Sequence, residues 1–297
     1  MGFKEIKIEW PDNKKFGLVL THDVDRVKKT YQYLTHFLKT GRFYHIKSLV
    51  SEHNPYWTFG EIMKVEEGLG VRSTFFFLNE SIKFNPFYLS QYKLSLGRYK
   101  INEKDVTKII NELDSKGWEI GLHGSYNSYQ SIDLLEREKN MLESVLGKPV
   151  FGIRQHYLNL DVPLTWQYHE KLGFQYDSSF GFKNQLGFRD NVRYPFQPFN
   201  SKFTVIPLSI MDMVIFNQKG LTDEQRFETC REIINSAIGS RAMICVVWHT
   251  ERFNNKEFPG QTDFYMRLVN ECINKGAYVS TAKEVIKLIS IQKGEHD

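Results

Sequence analysis

A chain of 297 residues, 41% hydrophobic and 25% charged, is long enough for a sizeable core and is composed like an ordinary α/β protein. Its net charge of +4 comes from scattered Lys and Arg without a basic run, which argues against nucleic-acid binding, and stretches such as AMICVVW (242–248) are too short to span a bilayer. The start, MGFKEIKIEW, has no apolar signal-peptide core, and Cys230, Cys245 and Cys272 lack any CxxC spacing; both features fit reduced thiols in a cytoplasmic protein.

In chain order, the first strand is expected at 16–21, where LVLT runs straight into His22-Asp23-Val24-Asp25. Two acids one residue apart at the end of an apolar strand repel each other, so they call for a cation or for distinct roles. Residues at i and i+2 of an extended chain point the same way, so both acids face one place. A helix at 27–39 follows, then a long excursion over 40–70 and a strand at 72–78. A second excursion rich in Tyr, Phe and Lys covers 79–101. Helix 103–116 leads to strand 119–122 and His123, and helix 131–146 leads to strand 152–153 and Arg154. Helix 163–172, strand 174–176 ending at Asp177, a stiff loop at 181–200 and strand 203–207 come next. Helix 223–238, strand 242–248 ending at His249, helix 264–275, strand 277–279 and helix 282–289 complete the chain. Each helix carries apolar residues at three- and four-residue spacing, and Gly117, Gly147, Gly173 and Gly276 follow helix ends.

Alternating strands and helices predict parallel β with outer helices. A barrel-like arrangement would gather the strand C-termini on one face, and five of them carry a chemically capable side chain. There is no Gly/Ser/Pro linker, so the expectation is a single domain over 1–297, with long loops above the strand C-terminal face.

Five pieces in order, THDVD, HGSYN at His123, IRQHYL at Arg154, YDSSFGF at Asp177 and VVWHTE at His249, resemble the motifs of the polysaccharide deacetylase family, carbohydrate esterase family 4. The resemblance covers about residues 16–288. It implies a distorted (β/α)7 barrel and a divalent metal, most commonly zinc, which would polarise an amide carbonyl and lower the pKa of a bound water. It implies Asp25 and His123 as metal ligands and Asp23 as general base, with Arg154 holding that base. His249 would be the general acid, its imidazole held by Asp177. The family's second motif His falls at Asn127 here, so the third ligand is open between Asn127 and His156. The implied activity is removal of an N-acyl group, acetyl or formyl, from an amino sugar of a glycan or glycan precursor, in surface polysaccharide biosynthesis. A catalytically impaired relative that binds sugar, and another metal-dependent barrel enzyme acting on sugars, are the alternatives.

Overall fold

Apolar, β-branched and aromatic runs too short for helices build one curled sheet. The computed structural model describes residues 4–87 and 91–294; positions 88–90 of the expected excursion 79–101 lie outside them. Its strands are β1 Lys4–Glu5, β2 Phe16–Val24, β3 Thr74–Leu78, β4 Glu119–Gly124, β5 Gly152–Gln155, β6 Tyr176–Asp177, β7 Phe196–Gln197, β8 Thr204–Val205, β9 Ile210–Met211, β10 Met243–Val247 and β11 Ala277–Ser280. They run in the order β1-β7-β8-β6-β5-β4-β3-β2-β10-β9, with β11 also on β2. All pairings are parallel except β1 with β7 and β7 with β8. This is an α/β fold with a distorted barrel.

The distortion centres on β2, whose nine residues are all buried. One edge pairs with β10 over Gly17–Thr21. The other edge is shared: β11 takes Phe16–Val19 and β3 takes Thr21–Val24. Sharing an edge in this way lengthens β2 past its neighbours and carries its acidic end up to the mouth.

Both faces of the sheet are covered, so the strands read as continuous apolar runs. Leu18 and Leu20 of β2 face the helices, whereas Val19 faces the interior with Phe76, Tyr176 and Val247. That interior is packed tightly because glycines stand opposite the rings. A Cβ on Gly152 would lie 2.0 Å from Tyr176, and one on Gly121 would lie 2.6 Å from Phe76. With the interior filled in this way, the strand C-terminal mouth is where a site is sought in such a fold.

The helices end where local chemistry dictates. Helix Ile132–Leu146 starts at the Ser131 cap and stops at Gly147, whose left-handed φ of 71° lets its N–H reach the Glu143 carbonyl. Helices Asp223–Ser240 and Ala282–Gln292 each begin with a complete capping box, Thr222/Gln225 and Thr281/Glu284. The first helix departs from expectation. It is α1, Gln32–Thr40, and it starts five residues after position 27. Asn54 explains the delay: its side chain binds the Val27 carbonyl and the Lys29 N–H, holding that backbone out of a helix. The expected excursion 40–70 in turn contains two helices, α2 at Tyr44–Lys47 and α3 at Phe59–Leu69.

Beneath the acidic end of β2 lies a buried polar network. His22 bonds the Trp248 carbonyl through Nδ1 at 2.8 Å and Glu66 of α3 through Nε2 at 2.9 Å. Glu66 also accepts from Ser73, Trp118 and Tyr265. Burial opposes its charge, but His22 and these donors hold its carboxyl below the usual range. Every member is satisfied, the condition under which such a network specifies a core. Cys230, Cys245 and Cys272 are buried free thiols.

Candidate active site

Each strand that ends at the mouth delivers one side chain there, because only the strand C-termini break the apolar runs. Asp25 follows β2, His123 lies in β4, and His156 opens a short 3-10 turn, His156–Leu158, directly after β5. One ligand atom from each of these three lies within 4.8 Å of the others. His123 Nε2 is 3.2 Å from Asp25 Oδ1, and His156 Nε2 is 3.5 Å from the same oxygen.

The protons on the two rings are dictated by their far sides. His123 Nδ1 faces the Arg154 carbonyl at 2.8 Å. A carbonyl only accepts, so Nδ1 carries a hydrogen and Nε2 is the atom that faces Asp25. His156 Nδ1 faces Glu80 Oε2 at 3.5 Å, which turns its Nε2 to the same spot. Glu80 is buried and held by the N–H groups of Ser81, Ile82 and Tyr126. A carboxylate behind an imidazole behind a cation site is a recurrent second-sphere arrangement. Asp25 Oδ1 is itself buried without a hydrogen-bond partner. Burial opposes its charge, yet His156 and His123 hold its carboxyl well below the usual range. A carboxylate oxygen facing two imidazole Nε2 atoms, each able to lose its proton on coordination, is a mixed N/O donor set that fits a divalent metal ion.

Of the two expected candidates for a third ligand, the structure places one beside Asp25 and His123. His156 stands in the cluster. Asn127 is exposed at the start of the 3-10 turn Ser128–Gln130, and among the described residues no hydrogen bond joins its side chain to Asp25, His123 or His156.

Asp23 lies deeper. Its Oδ1 accepts from Arg154 Nη1 at 2.8 Å, and its Oδ2 is 3.8 Å from His123 Nε2. Arg154 is fully buried over the Phe76 ring and also donates to Thr21 Oγ1, the Ser178 carbonyl and Ser178 Oγ. Burial would push the Asp23 carboxyl up, but the guanidinium beside it, helped by His123 and His249, holds it below its ordinary value. Asp23 is therefore held as an ionised carboxylate in a fixed position.

His249 approaches from the other side of β2, with Nε2 4.0 Å from Asp25 Oδ2. Its expected partner is corrected by the structure. Asp177 does not reach it; that carboxylate accepts from Trp166 Nε1, Ser179 N and Ser179 Oγ and lies 3.4 Å from His169 Nδ1, a structural knot below the mouth. His249 Nδ1 instead bonds Asp212 Oδ1 at 2.7 Å, and its backbone N–H bonds Asp212 Oδ2 at 2.6 Å. Arg252 Nε stands 3.1 Å from Asp212 Oδ2. Burial lowers the His249 pKa, but the attraction and hydrogen bond of Asp212 outweigh it and raise the group to about 10.

Sequence reasoning missed Asp212 and Glu80. Both obey the signal that singled out Asp23: an acid just past an apolar run, LSIM before Asp212 and FFFLN before Glu80. Tyr157 and Leu158, at φ 58° and 52°, place two consecutive non-glycine residues in the left-handed region beside His156. Such strain persists where the surroundings fix it, as they do at sites.

No family model and no curated protein matches this chain in sequence. Solved structures do match. A protein named as a polysaccharide deacetylase from Mycobacterium smegmatis superposes with a TM-score of 0.64 at 18% identity, over 98% of this chain and 96% of that one. Puue allantoinase superposes with a TM-score of 0.62 at 13% identity, over 97% and 94%. A protein named as a polysaccharide deacetylase from Pseudomonas aeruginosa PAO1 gives 0.62 at 13%, over 97% and 95%. At these identities the likeness is one of fold: the chain has the fold of the carbohydrate esterase family 4 polysaccharide deacetylases.

Proposed function

We propose that this chain is a metal-dependent hydrolase that removes an N-acyl group, acetyl or formyl, from an amino sugar of a glycan or glycan precursor, in the cytoplasmic stage of surface polysaccharide synthesis. The observation that carries this reading is the convergence of Asp25 Oδ1 with Nε2 of His123 and Nε2 of His156, one ligand atom from each lying within 4.8 Å of the others. The shared fold supports it.

Asp25, His123 and His156 would hold the divalent ion, which supplies Lewis acidity to the acyl carbonyl. Asp23 takes a proton from the attacking water at Oδ2, its other oxygen being engaged by Arg154. Arg154 keeps that carboxylate ionised and in place. His249 Nε2 gives a proton to the sugar nitrogen as the C–N bond breaks, so the products are an amine and a carboxylate. Asp212 holds the His249 tautomer with its hydrogen on Nδ1 and stabilises the imidazolium before transfer. Acid and base stand on opposite sides of Asp25, as addition and departure at one carbonyl carbon require.

The test combines metal analysis with acetate and formate release from N-acylated amino-sugar oligomers. The native protein should carry about one ion per chain and turn over. Asp23→Asn should keep the metal and lose turnover, and Asp25→Ala should lose both. Full metal content and activity in Asp25→Ala would overturn the site. A metal-loaded native protein that binds oligomers but releases no acid would make it a sugar-binding relative instead.

A further inference from the structure

The chain from Arg26 to Ser51 contains six Lys or Arg and no Asp or Glu. It leaves the C-terminal end of β2, immediately after the acidic pair, and forms α1, α2 and a 3-10 turn, Ser48–Val50. An outer helix of a globular protein normally turns its apolar stripe inward. Here the polarity is reversed. The buried residues of these three elements are Gln32, His45 and Ser48. The exposed ones include Leu34, Leu38, Phe43, Ile46, Leu49 and Val50, with Phe43 at 69% and Val50 at 86%. Those six are half of the twelve large exposed hydrophobic side chains among the described residues.

The inward polar face is anchored by a buried network. Lys29 Nζ donates to Glu257 Oε1 at 2.6 Å and to His45 Nδ1 at 3.1 Å, and Arg42 donates to the carbonyls of Lys256 and Glu257. The ammonium supplies the positive charge that the buried Glu257 requires, and the pair acts as a clamp, although His45 Nε2 and Glu257 Oε2 are buried without a hydrogen-bond partner. The clamp fixes the outward face rather than leaving it as a loose loop. Leu34 and Leu38 are one turn apart on α1, and the Phe37 and Phe43 rings, 5.3 Å apart, join α1 to α2. Lys39 and Lys47 are exposed beside the apolar side chains.

We propose that residues 32–50 are a docking face for the headgroup layer of an anionic lipid bilayer. Apolar side chains flanked by bases, with no acid in the segment, match the acyl boundary and the negative surface of such a layer together. Six exposed apolar side chains in one segment call for a partner, and the exposed Lys39 and Lys47 beside them select an anionic one. No helix of the described residues is long and apolar enough to cross a membrane, and the docking proposed is at the bilayer surface. The face rises from the same end of the barrel as the site, so docking brings the mouth to the lipid surface and favours a glycan carried on a membrane-embedded lipid.

Vesicle flotation tests this without any substrate, so its result stands apart from that of the hydrolysis assays. The full chain should float with vesicles of 30% phosphatidylglycerol in phosphatidylcholine. Binding should fall about tenfold or more with pure phosphatidylcholine or when NaCl is raised from 0.1 to 0.5 M. Leu38→Asp with Val50→Asp should reduce it by about tenfold or more at an unchanged melting temperature. A native chain that stays with the soluble fraction on anionic vesicles overturns the proposal. So does a native dimer, detected by light scattering and dissociated by the same double variant without vesicle binding, which would assign the face to a second copy.

Discussion

Replacing Asp212 by Asn isolates what a buried carboxylate does for His249. Asn keeps the shape, and its amide oxygen still accepts from Nδ1–H, but the charge is gone. In the metal-free protein the His249 pKa is raised from 6.5 to about 10, with burial opposing and Asp212 the main cause. That gap, about 3.5 pKa units, corresponds to about 5 kcal/mol favouring the imidazolium. This is a net figure: Asp212 first, then Asp25 and Glu251, raise His249 against burial, which lowers it. In metal-free Asp212→Asn we expect the His249 pKa to fall by about two units or more, followed by imidazole resonances between pH 5 and 11. The sign of the stability effect follows. A folded-state pKa above the unfolded one stabilises fully below pH 6.5, and that contribution is lost as pH rises through about 10. The deficit of the variant in urea unfolding should therefore be largest near pH 6 and should shrink towards pH 10. On the proposed substrates kcat should drop by about 10² to 10⁴, the range for a lost general acid. An unchanged His249 titration, or a deficit that does not vary with pH, would refute the assignment of Asp212.

Three further outcomes follow from buried carboxylates. Glu80→Gln should weaken metal affinity by about 10- to 100-fold, because the carboxylate behind His156 is lost, while the amide oxygen can still accept from Ser81 and Ile82; equilibrium dialysis reads this directly. Glu138 accepts from the Ser125 N–H at 3.0 Å but has a buried oxygen without a partner, and burial, with Glu80 nearby, raises it from 4.5 to about 7. A raised carboxyl binds its proton more tightly when folded, so native stability should fall by up to about 3 kcal/mol between pH 4.5 and 7, and Glu138→Gln should remove that slope. Glu66→Ala strands His22 in the core and should cost about 3 to 5 kcal/mol in urea unfolding, and a loss under about 1 kcal/mol would show the network to be dispensable.

The parts of the fold and site that were readable share one cause. β2 and β10 are buried on both faces, so their runs are continuous and the first polar residue after each marks a strand end. Asp23, Asp25 and His249 stand out for that reason. Pairings between strand ends are another matter. Asp177 and Asp212 both end two-residue strands, and nothing local says which of them meets His249, 37 positions from Asp212. β9 is set by pairing to β10 rather than by its own sequence and was not anticipated. Nor was α3, although Phe59, Ile62, Met63 and Glu66 are spaced for one buried face. In α1 periodicity misleads about direction: apolar spacing announces a helix but not that its apolar side faces away from the protein. The delayed start of α1 depends on Asn54, a contact across 27 positions that no window around residue 27 contains.

The parallel register of β4 and β5 pairs His123 with Arg154, so His156 projects just past its neighbour on the adjoining strand. Adjacent strands lie about 4.8 Å apart, close to the rise of about 5.4 Å for one helical turn. A donor four residues along one chain and a donor at the tip of the next strand can therefore serve the same ion. If His156 holds the ion as proposed, a coordinating imidazole has moved between loops without rebuilding of the scaffold, and donors are to be sought across the barrel rim as well as along one segment.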